Sequence, residues 1–366
     1  MAGQSSQPLR IRWIDLAKGI GIMLVALGHL TNGQGENVWL PALADLHVAL
    51  YLFHMPLFFL LGGFVLHVGE KKFGNFVVRR LQTLVVPYYV FSIYYLAKPV
   101  ALAAFPGLAG QFSYQSGEAL AEEAWNILFM GEGLWFLWAY FWGELITFLL
   151  VRAMAHLKKA QRTLACLCIG VAFIFCEQLW WSIGPAFSLP LQLISGLGAA
   201  GYLLIGVALR DFLLQLSRCV CLVCGGITSV AFYMLSNVQI ALTSVSPEVV
   251  SVSLFGVAPL DALMAIATAL VGSLAVIFIA QALDSCSPFE FVGKHSIVFY
   301  ALSAPAMNLC KLVLFVLIGI DVTMASVATQ FICGLSLAVA SVVLIWPLDL
   351  FVQRFLPWSV GNSHRT

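Results

Sequence analysis

Long apolar runs recur along the whole chain, and they restrict its fold more than any other feature. A helix needs about 20 apolar residues to cross the roughly 30 Å apolar core of a bilayer. Ten runs reach this length, at about 13–31, 47–68, 82–105, 134–152, 163–181, 190–209, 219–236, 259–283, 295–318 and 324–352. Their sequences lack the apolar–polar alternation of barrel strands. We therefore predict an all-α polytopic membrane protein with about ten transmembrane helices in one bundle.

The composition excludes a soluble protein. Hydrophobic residues make up 61% of the chain and charged residues only 10%, whereas soluble domains carry about 25% charged residues. A net charge of +1 leaves no basic face for nucleic acid. The nine cysteines lie in or beside apolar runs, and their spacing matches neither a zinc site nor a disulfide framework. The predicted surroundings of the chain are therefore lipid.

The distribution of charge predicts the orientation. Fifteen of the 18 Lys and Arg residues fall at the two termini and in four loops. These loops lie near 69–81, 152–163, 210–218 and 284–294. By the positive-inside rule, both termini and these loops are cytoplasmic. The chain then divides into a cytoplasmic tail at 1–12, a transmembrane domain at 13–353 and a second cytoplasmic tail at 354–366.

Three lysines remain inside predicted spans, where an ionisable group is costly and usually faces a cavity or a partner. Lys98 is expected to extend outward to the membrane surface, and Lys311 needs a buried partner that the sequence does not identify. Lys18 lies one turn beyond Asp15, and three turns before His29 on the same helical face, about 16 Å along the axis. This stripe favours a polar channel. For His29 alone, a structural histidine bonded to a neighbouring helix is an equally good interpretation.

The second span carries two further histidines. His47 and His54 are seven residues apart, which places them on one face of a continuous helix. Pro56 frees a backbone carbonyl, and Gly62 and Gly63 permit close helix contact. His29, His47 and His54 together do not predict a metal site, because no carboxylate is placed to complete the ligand set.

The segment Gly196-x-Gly198-x-x-Gly201 matches a dinucleotide-binding fingerprint in spacing alone. It follows no predicted strand and lies inside an apolar span, so the context of that fingerprint is missing. We interpret it as a small-residue face on which another helix packs.

These features resemble the acyltransferase 3 family of integral membrane O-acyltransferases. In that family a basic residue of the first span is followed, after ten residues, by a histidine, and here the pattern is Lys18-x10-His29. The version Asp15-x-x-Lys18-Gly19 is most similar to the fucose 4-O-acetylase-like branch. Looser similarities are found at 53–59, 79–88, 134–137 and 293–300. The sequence departs from the family pattern at Lys18, where arginine is commoner, at Gly62, where serine is usual, and at Ser303, where a histidine often occurs.

The resemblance implies an enzyme of the bacterial inner membrane with ten helices. It would transfer an acetyl group from cytoplasmic acetyl-CoA, a substrate and not a resident cofactor, to a hydroxyl of a glycan or a lipid-linked saccharide. His29 would be the general base, since imidazole titrates near neutral pH. Asp15 and Lys18 would shape the donor channel beneath it. Lys18 either contacts the pantetheine or pyrophosphate of CoA or simply pairs with Asp15.

The remaining site predictions concern ligand binding. Arg79 and Arg80 are placed on the cytoplasmic side to bind the phosphates of CoA, although such charges also occur merely to set orientation. His54 and Trp135 are predicted to bind the acceptor. Trp135 would stack on a sugar, and its alternative interpretation is an ordinary tryptophan of the membrane interface.

Two other functions are compatible with the sequence. A polytopic transporter or exporter of a glycan precursor or metabolite would also carry buried charges, but transporters often show two similar halves, and we see no such correspondence. A family member that has lost catalysis and serves as a binding or regulatory domain is compatible with the departures at Gly62 and Ser303. We predict the O-acetyltransferase.

Overall fold

A computed structural model of the chain describes residues 11–30, 39–69, 72–104, 118–184, 187, 189–242 and 258–361. Within these ranges every regular element is helical and no strand occurs, which confirms the predicted all-α class. Residues 1–10 and 362–366 of the two predicted tails lie outside the described residues, as does the side chain of Lys98.

Fourteen α-helices are described. They are α1 Arg12–Gly28, α2 Ala44–Tyr51, α3 His54–Val65, α4 Phe73–Arg80, α5 Val86–Ala104, α6 Glu118–Trp125, α7 Trp135–Ala153, α8 Lys159–Ile183, α9 Leu193–Leu213, α10 Arg218–Leu242, α11 Ala258–Leu283, α12 Ser287–Lys294, α13 Ser296–Lys311 and α14 Val327–Phe355. Short 3₁₀ and π turns extend several of them.

Eight helical segments of the described chain are long and apolar enough to cross a membrane. They correspond to eight of the ten predicted spans. The predicted spans at 13–31 and 82–105 are helical as well, as α1 and α5. Since α1 has 17 residues, it is about 25 Å long, slightly less than the apolar core of a bilayer. The count of ten and the orientation remain predictions.

Two groups of helices form the bundle. In one, α9 packs against α3, α7 and α8; in the other, α1 packs against α3 and α11–α14. Helices α8 and α10 bury little of their surface. On α10, Leu222, Val223 and Ile227 are each at least 60% exposed. Apolar side chains turned outward along whole helices require a lipid environment, so the packing agrees with the hydropathy of the sequence.

The predicted span at 47–68 is present, but it is not one continuous helix, because the chain breaks at Leu52 and Phe53 between α2 and α3. In an unbroken helix, the ring of Pro56 would clash with the carbonyl of Leu52, four residues earlier. The break removes this clash and leaves Pro56 in the first turn of α3, where proline is tolerated. The seven-residue spacing of His47 and His54 therefore does not describe one helical face.

The predicted cytoplasmic end of α1 is attached to α12 by close backbone contact. A side chain on Gly19 would meet the backbone of Phe289, and one on Gly293 would meet the backbone of Asp15, so only glycines allow this approach. Beside it, Arg12 donates two hydrogen bonds to the Glu290 carboxylate, at 3.1 and 3.2 Å. This hydrogen bonding lowers the pKa of Glu290. The first helix is thus fixed in register at one end.

Candidate active site

A cavity of about 270 Å³ lies at the His29 end of α1, which the predicted topology places toward the outer side. It forms where α1 ends, where α2 and α3 break, and where parts of α7, α8, α9, α11 and α13 converge. The polar and aromatic side chains that line it include His29, Tyr51, His54, Tyr95, Trp135, Glu177, Gln178, Tyr202, Tyr300 and Ser303. Three predicted site residues, His29, His54 and Trp135, therefore share one cavity.

His29 directly follows α1, and its backbone is held by side chains from two other helices. The fully buried Lys311, at the end of α13, donates from Nζ to the carbonyl oxygen of His29 at 3.2 Å. His47 donates from Nδ1 to the carbonyl oxygen of Gly28 at 2.9 Å. Terminal carbonyls of a helix have no partner within it, and a cation there also suits the helix dipole. Both contacts therefore stabilise the end of α1 from which His29 enters the cavity.

The ring of Tyr51 contacts the rings of both His47 and His54. Tyr51 lies with its ring centre 4.3 Å from that of His47 and 4.9 Å from that of His54. His54 donates from Nδ1 to the carbonyl oxygen of Leu50 at 2.6 Å, beside the helix break. Since a carbonyl only accepts, Nδ1 carries the hydrogen in both histidines, and Nε2 is the acceptor when the ring is neutral.

Trp135, the first residue of α7, belongs to an aromatic wall of the cavity. Its ring meets Phe136 edge-on at 6.4 Å. Phe136 in turn stacks on Phe59 at 4.8 Å and contacts Tyr300 at 5.3 Å. Such a wall fits the predicted stacking of Trp135 on the apolar face of a sugar ring. In the part of the chain that the structure describes, no three His, Cys, Asp or Glu side chains are grouped to hold a metal ion.

Asp15 and Lys18 lie at the other end of α1, away from this cavity. Asp15 is 7% exposed and its backbone contacts Gly293, whereas Lys18 is half-buried. Eleven residues of helix separate Lys18 from His29, or about 16 Å. The residues of α1 that line the cavity are Val25 and His29. A catalytic role for Asp15 and Lys18 therefore requires that the donor extend along α1.

The two arginines predicted to bind CoA differ in their surroundings. Arg79 is exposed on α4. The half-buried Arg80 forms an ion pair with Glu144 of α7, a side chain that is only 2% exposed. One turn along α7 from Glu144, Tyr140 contacts Phe59, which lines the cavity. A column of polar and aromatic groups thus connects Arg80 with the cavity.

Comparison with known proteins places this arrangement in a family. The family model described as an acyltransferase domain, acyltransferase 3, matches residues 11–347. The chain belongs to the acyltransferase 3 family. It is therefore a multi-pass membrane protein of a family of acyltransferases, as the sequence resemblance predicted.

One curated relative extends the comparison. The chain is 29% identical over 159 residues to the nodulation protein NolL of Sinorhizobium fredii, a match that covers 42% of this chain and 38% of the relative. The chain thus spans less than half the length of that relative in the alignment. No solved structure matches the chain.

The structure gives a physical reason for one departure from the family pattern. A side chain on Gly62 of α3 would collide with the hydroxyl of Tyr140 on α7. The serine that is usual at this position would fit only if Tyr140 moved, because the hydroxyl of Tyr140 occupies the space beside Gly62. The second departure, Ser303, lines the cavity and donates its hydroxyl to the carbonyl oxygen of Tyr300 at 2.7 Å.

Sequence reasoning missed two carboxylates in or beside the candidate site. Glu144 and Glu177 both lie inside predicted spans, in α7 and α8. An ionisable residue within an apolar span is itself a signal of a functional site, and the same criterion that singled out the lysines would have found them. For Lys311 the sequence predicts a buried partner, and the structure identifies the carbonyl oxygen of His29 as one such partner.

Proposed function

We propose that the protein is an O-acetyltransferase of the bacterial inner membrane. It transfers an acetyl group from acetyl-CoA on the cytoplasmic side to a hydroxyl of a cell-surface glycan or its lipid-linked precursor. The family supports acyl transfer in general, and the donor, the acceptor and the base are our proposal.

In the proposed reaction, His29 removes the proton of the acceptor hydroxyl as the hydroxyl oxygen bonds to the carbonyl carbon of the thioester. The carbon–sulfur bond then breaks. The CoA sulfur leaves as a thiolate and receives the proton from the imidazolium, so that an ester and free CoA remain. Imidazole suits both proton transfers near neutral pH. The acceptor is expected in the cavity with His54 and Trp135, and the donor along α1 and the Arg80 column, with Arg79 at its cytoplasmic entrance.

One observation carries the proposal. His29 lines a cavity of about 270 Å³ that also holds polar and aromatic groups suited to a hydroxylated acceptor. Its backbone is held by the ammonium of Lys311 and, through Gly28, by His47. A general base must be held close to the proton that it removes, and such support from neighbouring groups keeps its position.

The test uses purified membranes that contain the protein, supplied with acetyl-CoA carrying a labelled acetyl group. Label is expected in the glycan fraction with the wild type, and its rate of appearance should fall at least about 100-fold in His29→Ala, because general base catalysis contributes about 10²–10⁴-fold. The matched control is His156→Ala, since His156 is exposed at the end of the 3₁₀ turn Met154–His156, after α7. Thermal unfolding of the purified variants checks that each is folded.

Two results would count against the proposal. Near-normal label transfer by folded His29→Ala would refute the role of the histidine while leaving acyl transfer intact. Absence of label with the wild type, together with saturable uptake of a saccharide into vesicles, would refute the donor reaction and favour the transporter instead.

A further inference from the structure

Glu177 places a carboxyl group in the wall of the cavity. It lies in the last two turns of α8 and is half-buried. Across from it, α9 carries Gly198, and a Cβ at that position would coincide with the Glu177 carboxylate. The absence of a side chain on α9 at this point leaves the space that the carboxylate occupies. Such a group inside an apolar span is costly unless it faces a cavity or has a partner, and Glu177 both lines the cavity and accepts a hydrogen bond from Trp181.

The neighbours of Glu177 in the cavity are groups that bind hydroxyls and ring faces. Gln178 lies beside it in the lining, and the aromatic rings of Trp135, Tyr202 and Tyr300 also line the cavity. A carboxylate has about four acceptor positions for hydroxyl hydrogens, and an amide both donates and accepts. Aromatic rings supply an apolar platform. This combination suits a ring that has an apolar face and carries several hydroxyls.

The Glu177 carboxylate in the cavity wall and the Lys311 ammonium beside His29 have opposite signs, which favours a ligand without net charge. The described residues that line it include no lysine or arginine, although an anionic group is usually bound by such cations. A cationic ligand is disfavoured at the His29 end, because the Lys311 ammonium lies 3.2 Å from the His29 carbonyl oxygen. A volume of about 270 Å³ is near the lower end for ligand sites, about 300–1,000 Å³, and suits a single ring.

We propose that Glu177 binds the hydroxyls of the acyl acceptor and that the acceptor group held in the cavity is one neutral sugar ring. The proposal rests on the acetyl transfer proposed above, for which it names the acceptor class. Glu177 acts in binding, and the proton transfer stays with His29.

The first measurement is binding of three probes to the full-length protein in detergent, by calorimetry. The probes are a neutral methyl hexoside, a methyl glucuronide and a methyl glucosaminide. The neutral hexoside is expected to bind saturably, and the two charged glycosides at least about 10-fold more weakly. Glu177→Ala should weaken binding of the hexoside about 10-fold or more, since hydrogen bonds to charged groups contribute at this level. The affinity for acetyl-CoA should stay unchanged.

A second variant acts on the same group without removing it. Gly198→Ala places a methyl group in the space of the Glu177 carboxylate and should weaken hexoside binding by a similar factor. Its matched control is Gly226→Ala, because a Cβ on Gly226 of α10 meets no atom within 4 Å. Cys176→Ala, at an exposed position next to Glu177 on α8, serves as the control for the first variant.

The outcomes separate this proposal from the acetyl transfer. Hexoside binding that depends on Glu177, without transfer of labelled acetyl to the hexoside, would support the sugar site and overturn the proposed reaction. The sugar site is overturned if a charged glycoside binds as well as the neutral one, if folded Glu177→Ala binds like the wild type, or if no neutral glycoside binds saturably.

Discussion

Replacement of Lys311 by methionine tests whether this buried ammonium holds His29, the proposed general base, in place. Lys311 is 0% exposed, donates to the carbonyl oxygen of His29 at 3.2 Å, and lies 5.7 Å from the centre of the Trp39 ring. A hydrogen bond from a charged donor contributes about 1.5–3 kcal/mol. If that energy restrains His29 in its reactive position, its loss lowers kcat about 10- to 150-fold.

The fold is expected to survive this change. Methionine has a similar length, and removal of a buried charge also removes its desolvation cost, which offsets the lost contact. Turnover should therefore fall much more than stability. The assay measures kcat and both KM values with labelled acetyl-CoA, beside a thermal unfolding curve. Lys294→Met, at an exposed position that ends α12, is the control for loss of one cation.

A folded Lys311→Met protein with the kcat of the wild type would refute the reasoning. So would a loss of activity that matches, molecule for molecule, the fraction of unfolded protein, because Lys311 would then serve only the fold. A selective increase in the KM for acetyl-CoA would contradict it as well, since that result would assign the ammonium to the donor.

Two further predictions concern the predicted cytoplasmic end. Arg80→Ala removes the ion-pair partner of the buried Glu144 and should destabilise the protein by about 3–5 kcal/mol. Arg79→Ala should leave the melting temperature unchanged and raise the KM for acetyl-CoA about 10-fold. Equal melting temperatures for the two variants would contradict the ion pair. The hydrogen bond from Arg12 lowers the pKa of Glu290, so this contact stabilises the fold above the ordinary pKa of a glutamate and is lost as the pH falls through the lowered value. Thermal unfolding from about pH 3 to 7 should accordingly show a smaller acid-induced decrease in Arg12→Gln than in the wild type, and identical pH profiles would refute this.

The class of the fold follows from the amino-acid sequence alone, and so does the prediction of part of the candidate site. Hydropathy reports the surroundings of each segment, which is a local property, so the helices could be located without knowledge of their partners. His29 at the end of the first helix and Trp135 at the start of α7 follow from the same local reading, and the structure places both in one cavity. The spacing of Lys18 and His29 indicated the family for the same reason, since Lys18 lies on α1 and His29 directly follows it.

Tertiary structure decided which of these groups meet. The contacts of Lys311 with His29 and of Arg80 with Glu144 join residues that are far apart in sequence. The residue pattern within one helix does not identify the helix that packs against it, so these contacts could not be predicted. The break before His54 depends on whether Pro56 kinks or ends the helix, and both are compatible with the residues alone. Glu177 enters the cavity because Gly198 on a neighbouring helix leaves room for it. Helix faces are chosen by packing between distant segments, and that choice exists only once the chain has folded.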